Sequence, residues 1–256
     1  MKNSTFSLLG NPNCGKTAVF NLLTGLNQKV SNYPGITVEK KISSIKLNNS
    51  VCIDIEDYPG AYSIIPQSLD EQIVSDTIIN WIENPSNRPN GIIYVADITN
   101  LRRNLYFLSQ IMILDIPIIL LLNMSDLVNL NVINLEKLQK NFGLLKVVKF
   151  SAVKKTGLED LKSLLLEITH QKIDIREHSL MHLSDQYLSM ISPVANKIKK
   201  MYSTTDVIAN HLAFSLLCNR HYIGKLNLSK NNLHELTSLK THILDRIDPD
   251  MKEYLK

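Results

Sequence analysis

The feature that most constrains the fold of this chain is an eight-residue stretch near its start, GNPNCGKT, which runs from Gly10 to Thr17. The apolar run Thr5–Leu9 before it predicts a short buried strand, and Lys16–Leu23 after it has the pattern of a helix. A GxxxxGK[ST] pattern between a strand and a helix is typical of a loop whose backbone N–H groups surround phosphate oxygens. A chance match is the alternative, and the strand and helix on either side argue against it.

The residue types in this stretch fit that chemistry. Glycines let the backbone curl inward, and a helix that begins near Gly15 directs its positive end at an anion. Lys16 is expected to reach the β- and γ-phosphates of a nucleotide, and the Thr17 hydroxyl to bind Mg²⁺. The candidate phosphate-binding residues are Gly10, Asn11, Pro12, Asn13, Cys14, Gly15, Lys16, Thr17 and Ala18.

Strand patterns and helix patterns alternate over about residues 1–170. The further predicted strands are Lys40–Leu47, Val51–Ile55, Gly91–Ala96, Pro117–Leu122 and Lys146–Phe150. The further predicted helices are Leu69–Trp81, Leu101–Leu114, Leu135–Asn141 and Leu158–Thr169. Most of these strands are apolar throughout, as in sheets covered on both faces, so the pattern predicts a doubly wound α/β domain. The Asn48-Asn49 pair predicts one hairpin, which makes the sheet mixed.

Beyond Thr169 the pattern changes to helix alone. From about Ser179 onward no segment reads as a strand, whereas apolar residues recur at helical spacing in three segments. These residues are Met190, Val194, Ile198 and Met201, then Ile208, Leu212, Ser215 and Leu216, and finally Leu233, Leu236, Leu239 and Ile243. The sequence therefore predicts two domains, 1–170 and a small domain of three or four helices over 171–256.

A polar motif, Asn123-Met124-Ser125-Asp126, follows the predicted strand Pro117–Leu122. A carboxylate at Asp126 can accept hydrogen bonds from the N1–H and 2-amino groups of guanine, a donor pair that adenine lacks. The alternative is a helix start with Ser125 or Asp126 as its N-cap. The Ser151-Ala152 pair after the next strand is a weaker candidate, whose backbone N–H could bind the guanine carbonyl. The candidate guanine-binding residues are Asn123, Met124, Asp126, Ser151, Ala152 and Val153.

The sequence Asp57-Tyr58-Pro59-Gly60 follows another predicted strand, Val51–Ile55. Asp57 is expected to hold Mg²⁺ through water, and the Gly60 N–H to meet the γ-phosphate. Asp54 and Glu56 are competing carboxylates, and the choice of Asp57 rests on the glycine three residues on. A plain turn is the alternative, since Asp, Pro and Gly are turn residues. We call this segment the second switch, because its contact with the γ-phosphate would depend on which nucleotide is bound; its candidate residues are Asp57, Tyr58, Pro59 and Gly60.

The segment Asn32–Lys41, NYPGITVEKK, lies between the first helix and the hairpin and reads as a loop. Thr37 is the best candidate to complete the Mg²⁺ shell, because Pro34-Gly35 defines a turn ahead of it. Thr24 and Ser31 are competing hydroxyls. The candidate residues of this first switch are Gly35, Ile36, Thr37, Val38 and Glu39.

Six segments together carry a specific resemblance: GNPNCGKTAVFNLLTG, NYPGITVEKK, DYPGAYSI, ADITNLRRNLYF, LLLNMSD and SAVKKTG. On these segments the chain resembles the N-terminal cytoplasmic GTPase domain of the bacterial ferrous iron transport protein B family. The resemblance covers about residues 5–170 and implies a Ras-like P-loop GTPase fold: a mostly parallel doubly wound sheet with one antiparallel hairpin strand. The tail resembles, by position and character, the small helical domain of that family. There it acts as a nucleotide-dissociation inhibitor and leads into a membrane domain, which is absent from this chain.

Three positions depart from the pattern of other GTPases or stand out within it. Met124 occupies the place of a lysine whose stem packs along the base, a contact that methionine can also make. Ala61 occupies the place of the glutamine that orients the attacking water in Ras-like proteins, so backbone, another residue or a partner must hold that water. Asn13 matches an asparagine that, in similar GTPases, binds a K⁺ ion where an arginine finger would reach. The alternative is that Asn13 only hydrogen-bonds the loop. The candidate catalytic residues are Lys16, Asn13 and Gly60.

The resemblance implies a slow, K⁺-stimulated GTPase that regulates or drives ferrous iron uptake from the cytoplasmic face of the bacterial inner membrane. Its expected partners are GTP, GDP, its own membrane domain and a further copy in a homo-oligomer, and no nucleic acid is expected. A ribosome- or tRNA-associated GTPase and a non-catalytic nucleotide-gated module are the alternatives. The former usually adds a basic RNA-binding module, whereas the tail lacks a GXXG loop or an RNP pattern. Arg102 and Arg103 read as surface residues at a helix start, although one could act on a neighbouring subunit.

The composition of the chain excludes some classes of protein but does not by itself indicate a function. The longest apolar runs are far shorter than the roughly 20 residues of a membrane span, so we expect a cytosolic piece without signal peptide. The net charge of +4 permits a phosphate ligand without demanding one. The three cysteines are far apart, which predicts neither a disulfide framework nor a zinc site. Cys14 is either a redox-sensitive thiol or, as we favour, a small side chain at a variable loop position. The scattered histidines show no iron site, and iron enters through the resemblance alone.

Overall fold

The computed structural model describes residues 3–25, 29–32, 39–64, 66–114, 116–128, 133–170, 185–202, 204–218 and 229–246. The chain divides into two compact units, Met1–Ser75 with Ser86–His178 and Asp76–Pro85 with Ser179–Lys256. The second unit thus includes a short segment from the first half of the chain, which the boundary predicted at residue 170 did not foresee. That 1–170 and 171–256 are separate domains stays a prediction.

The described part of the first unit is built on one sheet. Its strands are β1 (Ser4–Gly10), β2 (Lys29–Asn32), β3 (Glu39–Lys46), β4 (Cys52–Asp57), β5 (Gly91–Asp97), β6 (Ile118–Asn123) and β7 (Lys146–Lys149). They are ordered β2-β3-β4-β1-β5-β6-β7. The pairs from β4 to β7 are parallel, whereas β3 pairs antiparallel with both β2 and β4. The predicted mixed, mostly parallel sheet is confirmed.

Strand β2 was not predicted. Its sequence, KVSN, contains a single apolar residue, so it has no strand pattern of its own. It forms a strand by pairing with β3, with Asn32 opposite Glu39. Consequently Asn32 and Glu39, which the sequence assigned to the switch loop alone, belong to strands, and the sheet has a second antiparallel pair.

Helices of the first unit lie where the sequence predicted them, within a few residues. They are α1 (Lys16–Thr24), α2 (Leu69–Glu83), α3 (Leu101–Ile111), α4 (Leu135–Asn141) and α5 (Leu158–His170). α4 has the predicted bounds because both of its ends are coded locally: Asn134 accepts a hydrogen bond from the Lys137 N–H, and Gly143 follows with a φ of 54°. The second half of α2, from Asp76, belongs to the second unit.

Apolar side chains cover the central strands of the first unit on both faces. In β5 every residue from Gly91 to Ala96 is buried, and in β6 all six residues are buried. Residues of α1 and α5, among them Phe20 and Leu165, belong to the same core as Phe6 of β1. Burial on both faces explains the continuous apolar runs, and it leaves the ends of the strands as the place for polar chemistry.

The described part of the second unit contains α6 (Asp185–Tyr202), α7 (Asp206–Cys218) and α8 (Lys230–Arg246) with the end of α2. The helices predicted from apolar spacing are therefore found, and buried residues such as Ile198, Leu212 and Leu236 line their inner faces. Lys199 of α6 and Asp206 of α7 form an ion pair at 2.7 Å. None of the helices in the described ranges is long and apolar enough to cross a membrane.

Candidate functional site

The loop between β1 and α1 is shaped by its two glycines. Gly10 has a φ of 152° and Gly15 a φ of 92°. A Cβ atom on Gly10 would lie 2.2 Å from the Val95 carbonyl oxygen, and one on Gly15 would lie 2.3 Å from Asn123 Nδ2. Both glycines are thus required by close approach of neighbouring groups as well as by backbone angle. The spacing of the motif reflects packing around the loop.

Lys16 folds back into this loop. Its side chain is 8% exposed, and its Nζ donates hydrogen bonds to the carbonyls of Gly10 at 3.2 Å and Asn11 at 3.0 Å. Burial lowers the pKa of Lys16. The first turn of α1, at whose start this lysine lies, has no side-chain cap. An amine and an uncapped helix N-terminus that meet in one loop favour the binding of an anion such as phosphate.

The remaining loop residues differ in exposure. Cys14 is 1% exposed, and burial raises the pKa of its thiol, which supports the small-side-chain interpretation over a redox role. Asn13, Thr17 and Ala18 are exposed at the mouth of the loop. Asn13 has a φ of 62°, a left-handed conformation that asparagine tolerates better than most residues.

Asp57 ends β4 beside this loop. Burial raises the pKa of its carboxyl to about 6, although Lys16 and Lys41 oppose the rise. Its Oδ1 is buried and has no hydrogen-bond partner among the described residues. Of the competing carboxylates, Asp54 accepts from Asn3 and Ser44 and Glu56 accepts from the Tyr58 hydroxyl. Asp57 therefore retains an acceptor that fits a hydrated Mg²⁺ ion, and Thr17 offers a second oxygen.

The segment after Asp57 packs directly against the phosphate loop. A Cβ atom on Gly60 would lie 2.7 Å from Pro12 Cα, and the Ala61 N–H donates to the Gly10 carbonyl at 3.2 Å. Ala61 is fully buried. Its methyl group faces the interior, so the side chain at this position has no means of orienting a water molecule.

Three side chains for which the sequence predicted no role at this site, those of Arg103, Gln110 and Glu71, contact Tyr62, Ile64 and Gln67 in the next segment. The Arg103 guanidinium lies 3.9 Å from the centre of the Tyr62 ring. Gln110 Oε1 accepts from the Ile64 N–H at 2.9 Å. Glu71 accepts from the N–H groups of Tyr62 and Gln67 at 3.1 and 2.8 Å. Only Glu71 carries a local signal, because Ser68-x-x-Glu71 has the spacing of a helix capping box.

Asn123 at the end of β6 joins two loops. Its Nδ2 donates to the Cys14 carbonyl at 2.9 Å, and its Oδ1 accepts from the Ala152 N–H at 3.1 Å. Met124 follows with a φ of 61°, and the short 3-10 helix after it, Ser125–Leu127, has no side-chain cap. The alternative of a helix start capped by Ser125 or Asp126 is therefore wrong.

The base-recognition residues lie on the surface beside this junction. Asp126 is exposed, and the Ser151 hydroxyl next to it lowers the pKa of that carboxyl. The Ser151 N–H donates to the Thr156 carbonyl at 3.3 Å, and the Ala152 N–H to Asn123. Both N–H groups thus have partners within the protein, and a hydrogen bond from this pair to the guanine carbonyl stays a prediction. Val153, 82% exposed, is the next residue along the chain.

The first switch falls largely outside the described residues. Gly35, Ile36, Thr37 and Val38 lie in the undescribed range 33–38, and Glu39 begins β3 with its side chain outside the description. The competing hydroxyl of Thr24 is buried in the last turn of α1. Within the described ranges no group of three or more His, Cys, Asp and Glu side chains could hold a metal ion.

Comparison with known proteins gives one consistent family. A model of the family described as ferrous iron transport protein B matches residues 4–165. An Fe(2+) transporter FeoB of Leptospira biflexa is 40% identical over 167 residues, which are 64% of this chain and 23% of that protein. The FeoB of Staphylococcus aureus strain COL is 32% identical over 244 residues, which are 94% of this chain and 35% of that protein.

A solved structure extends the likeness to three dimensions. A mutant of S. thermophilus NFeoB, crystallised with GDP bound, matches with a TM-score of 0.74 at 31% identity, over 95% of this chain and 90% of that one. The chain spans only about a quarter to a third of the length of the curated relatives it matches.

Proposed function

This chain belongs to the ferrous iron transport protein B family, and from that premise we propose that it binds and slowly hydrolyses GTP to regulate or drive ferrous iron uptake. Its fold is that of a P-loop GTPase. The observation that carries the proposal is the Lys16 amine held in the phosphate loop. The loop is joined through Asn123 to the residues that would read the base.

On nucleotide binding, the Lys16 ammonium would keep its two carbonyl partners and direct its third N–H donor at oxygens of the β- and γ-phosphates. The N–H groups at the start of α1 would donate to the same phosphates. Thr17, Thr37 and Asp57, the last through water, would hold Mg²⁺, which neutralises charge on the phosphate oxygens. The raised pKa of Asp57 fits this role, because a buried carboxylate without a partner gains most from a nearby cation.

Guanine would lie against the Met124 and Val153 side chains, with the Asp126 carboxylate accepting from N1–H and the 2-amino group. The Ser151 hydroxyl would keep Asp126 charged and oriented for that purpose. Adenine offers no such donor pair, so it would leave the carboxylate without partners. Specificity for GTP over ATP follows from this one carboxylate.

Hydrolysis would rest on Lys16, on the Gly60 N–H directed at the γ-phosphate, and on Asn13. Asn13 is exposed at the mouth of the loop, where its side-chain oxygen can bind K⁺. That cation would offset charge developing at the β–γ bridge, in place of an arginine. Because Ala61 is buried, the attacking water is held by backbone, another residue or a partner, and we expect slow turnover.

A single-turnover assay with labelled GTP or ATP, in K⁺ and with Mg²⁺, tests the catalytic proposal. We expect GTP to be cleaved, ATP to be spared, and Lys16→Ala to lose cleavage and binding. Lys162→Ala, in an exposed ion pair of α5, is the matched control and should behave as wild type. Binding of GTP without cleavage over hours would favour the second candidate, a non-catalytic nucleotide-gated module, which the buried Ala61 keeps open.

Iron uptake is a property of the longer relatives, and we extend it to the protein that contains this chain. The chain would act at the cytoplasmic face of the bacterial inner membrane on a transport domain of the same protein, alone or as a homo-oligomer. The test is uptake of labelled Fe²⁺ by cells that rely on the full-length protein. Lys16→Ala in that protein should lower uptake, and Lys162→Ala should not. Equal uptake in both variants would contradict a role for the nucleotide.

A further inference from the structure

We propose that Tyr94 is a positioning residue, which holds the phosphate loop in place through its contact with Asn11. Tyr94 lies in β5 and is fully buried. Its hydroxyl lies between two acceptors, the Asn104 carbonyl at 2.7 Å and Asn11 Oδ1 at 3.1 Å, and it can donate its one proton to either. The other residues from Ile92 to Ala96 are apolar, so this hydroxyl is the single side-chain polar group within that run. A buried hydroxyl requires partners, and one of those found here belongs to the loop.

Asn11 links the Tyr94 contact to Lys16. Its side chain is 2% exposed, and its Nδ2 donates to the Arg103 carbonyl at 3.3 Å. Its backbone carbonyl accepts from Lys16 Nζ at 3.0 Å. Both ends of the Asn11 amide are therefore held below the loop, while its carbonyl sets the place of the amine. A shift of Asn11 would move the group that binds phosphate.

The start of α3, which contacts both Asn11 and Tyr94, has further contacts of its own. The carbonyls of Arg103 and Asn104 belong to the first turn of α3. The Asn104 side chain accepts from the Asp97 N–H at 3.3 Å and donates to the Asn100 carbonyl at 2.9 Å. The Tyr94 ring also packs against Phe107, with the ring centres 5.9 Å apart. Tyr94 thus connects the hydrogen-bonded start of α3 to the phosphate loop, as a positioning residue would.

This inference rests on the proposed nucleotide binding and deepens it. The first test is the affinity and dissociation rate of fluorescent GDP for Tyr94→Phe, measured well below the unfolding temperature. We expect an affinity loss on the order of fivefold, the worth of one net hydrogen bond, mostly as faster dissociation. Preference for GDP over ADP should not change, because the base site is untouched. Tyr202→Phe, which removes a tyrosine hydroxyl in the second unit, should leave the affinity at the wild-type value.

A double-mutant cycle separates positioning from plain stability. Asn11→Ala should lower GDP affinity, and adding Tyr94→Phe to it should cost little more, because the shared contact is already lost. If Tyr94→Phe yields no folded protein, Asn11→Ala tests the same link from the loop side, and unchanged affinity there overturns the inference. A Tyr94→Phe variant with a lower unfolding temperature but wild-type affinity overturns it too, as do additive losses. Failure of the wild-type chain to bind guanine nucleotide would overturn the inference and the proposed function together.

Discussion

The side-chain amide of Asn123 donates to the Cys14 backbone carbonyl at 2.9 Å, across 109 positions of sequence. The other end of the same amide accepts from the Ala152 N–H. One buried side chain thus joins the phosphate loop to the loop after β7. The places proposed for phosphate and base are tied to each other through the protein, before any ligand contributes.

Replacing this side chain should therefore weaken both loops at once. Asn123→Ala would leave a buried carbonyl and a backbone N–H without partners, at a cost of about 1–3 kcal/mol each. We expect a lower unfolding temperature and a GDP affinity reduced by more than tenfold. Asn134→Ala is the control: it removes the cap of α4, costs about 1 kcal/mol and should leave GDP affinity unchanged. Equal nucleotide affinities in the two variants would contradict the linking role.

Asp126 offers a direct test of base recognition. In Asp126→Asn the acceptor pair becomes one acceptor and one donor, which mismatches guanine and matches the 2-oxo group of xanthine. GTP affinity should fall by about 100-fold or more, and xanthosine triphosphate should now bind better than GTP. Competition against fluorescent GDP measures both. Glu136→Gln, an exposed acidic position at the start of α4, should bind as wild type. Unchanged preference for GTP in Asp126→Asn would argue against the whole base site.

Local signals account for what the sequence predicts well. The bounds of α4 follow from its own cap and terminating glycine, and the phosphate loop from a motif between a strand and a helix. Strand β2 has no such signal, because its sequence KVSN becomes a strand only by pairing with β3. The predicted switch loop was therefore too long at both ends.

Contacts distant in sequence account for most of what was missed at the site. Tyr94 meets Asn11 across 83 positions, and Gln110 meets the Ile64 N–H across 46. Neither pair leaves a periodic or spaced pattern that sequence reasoning could use. Tyr94 alone left a hint, since a hydroxyl within the buried strand Gly91–Ala96 must find a partner. The hydrogen bond from the Ala152 N–H to Asn123, across 29 positions, was missed for the same reason.

We expect the stability of the second unit to depend on pH through Glu83. Burial raises the pKa of Glu83 at the end of α2, and the nearby Tyr202 hydroxyl offsets part of the rise. The Oε1 atom of Glu83 has no hydrogen-bond partner within the described ranges. Because the folded-state pKa is raised, its contribution to stability is fully present below pH 4.5, the ordinary pKa of a glutamate. That contribution is lost as the pH rises through the folded-state pKa. Glu83→Gln should therefore raise the unfolding temperature slightly near neutral pH and lose this advantage in acid.

Trp81, the one tryptophan of the chain, is buried in the same unit, so its fluorescence follows this unfolding. Glu167→Gln, an exposed position on α5, is the control and should show no pH-dependent gain. A Glu83→Gln variant less stable than wild type at neutral pH would show that the carboxylate is held by partners after all.

Because the buried Ala61 cannot orient a water molecule, we look to Asn13 for a further contribution to catalysis. Its left-handed backbone places an exposed side chain at the mouth of the phosphate loop, and no hydrogen bond from that side chain is found within the described ranges. That Asn13 binds K⁺ stays a prediction beside the interpretation that it only hydrogen-bonds the loop. We expect GTP hydrolysis to rise at least tenfold when K⁺ replaces Na⁺ at equal ionic strength. Asn13→Ala should lose that stimulation while it keeps its affinity for GDP within a few fold. Equal rates in the two salts for the wild-type protein, measured as phosphate release under single turnover, would remove K⁺ from the mechanism.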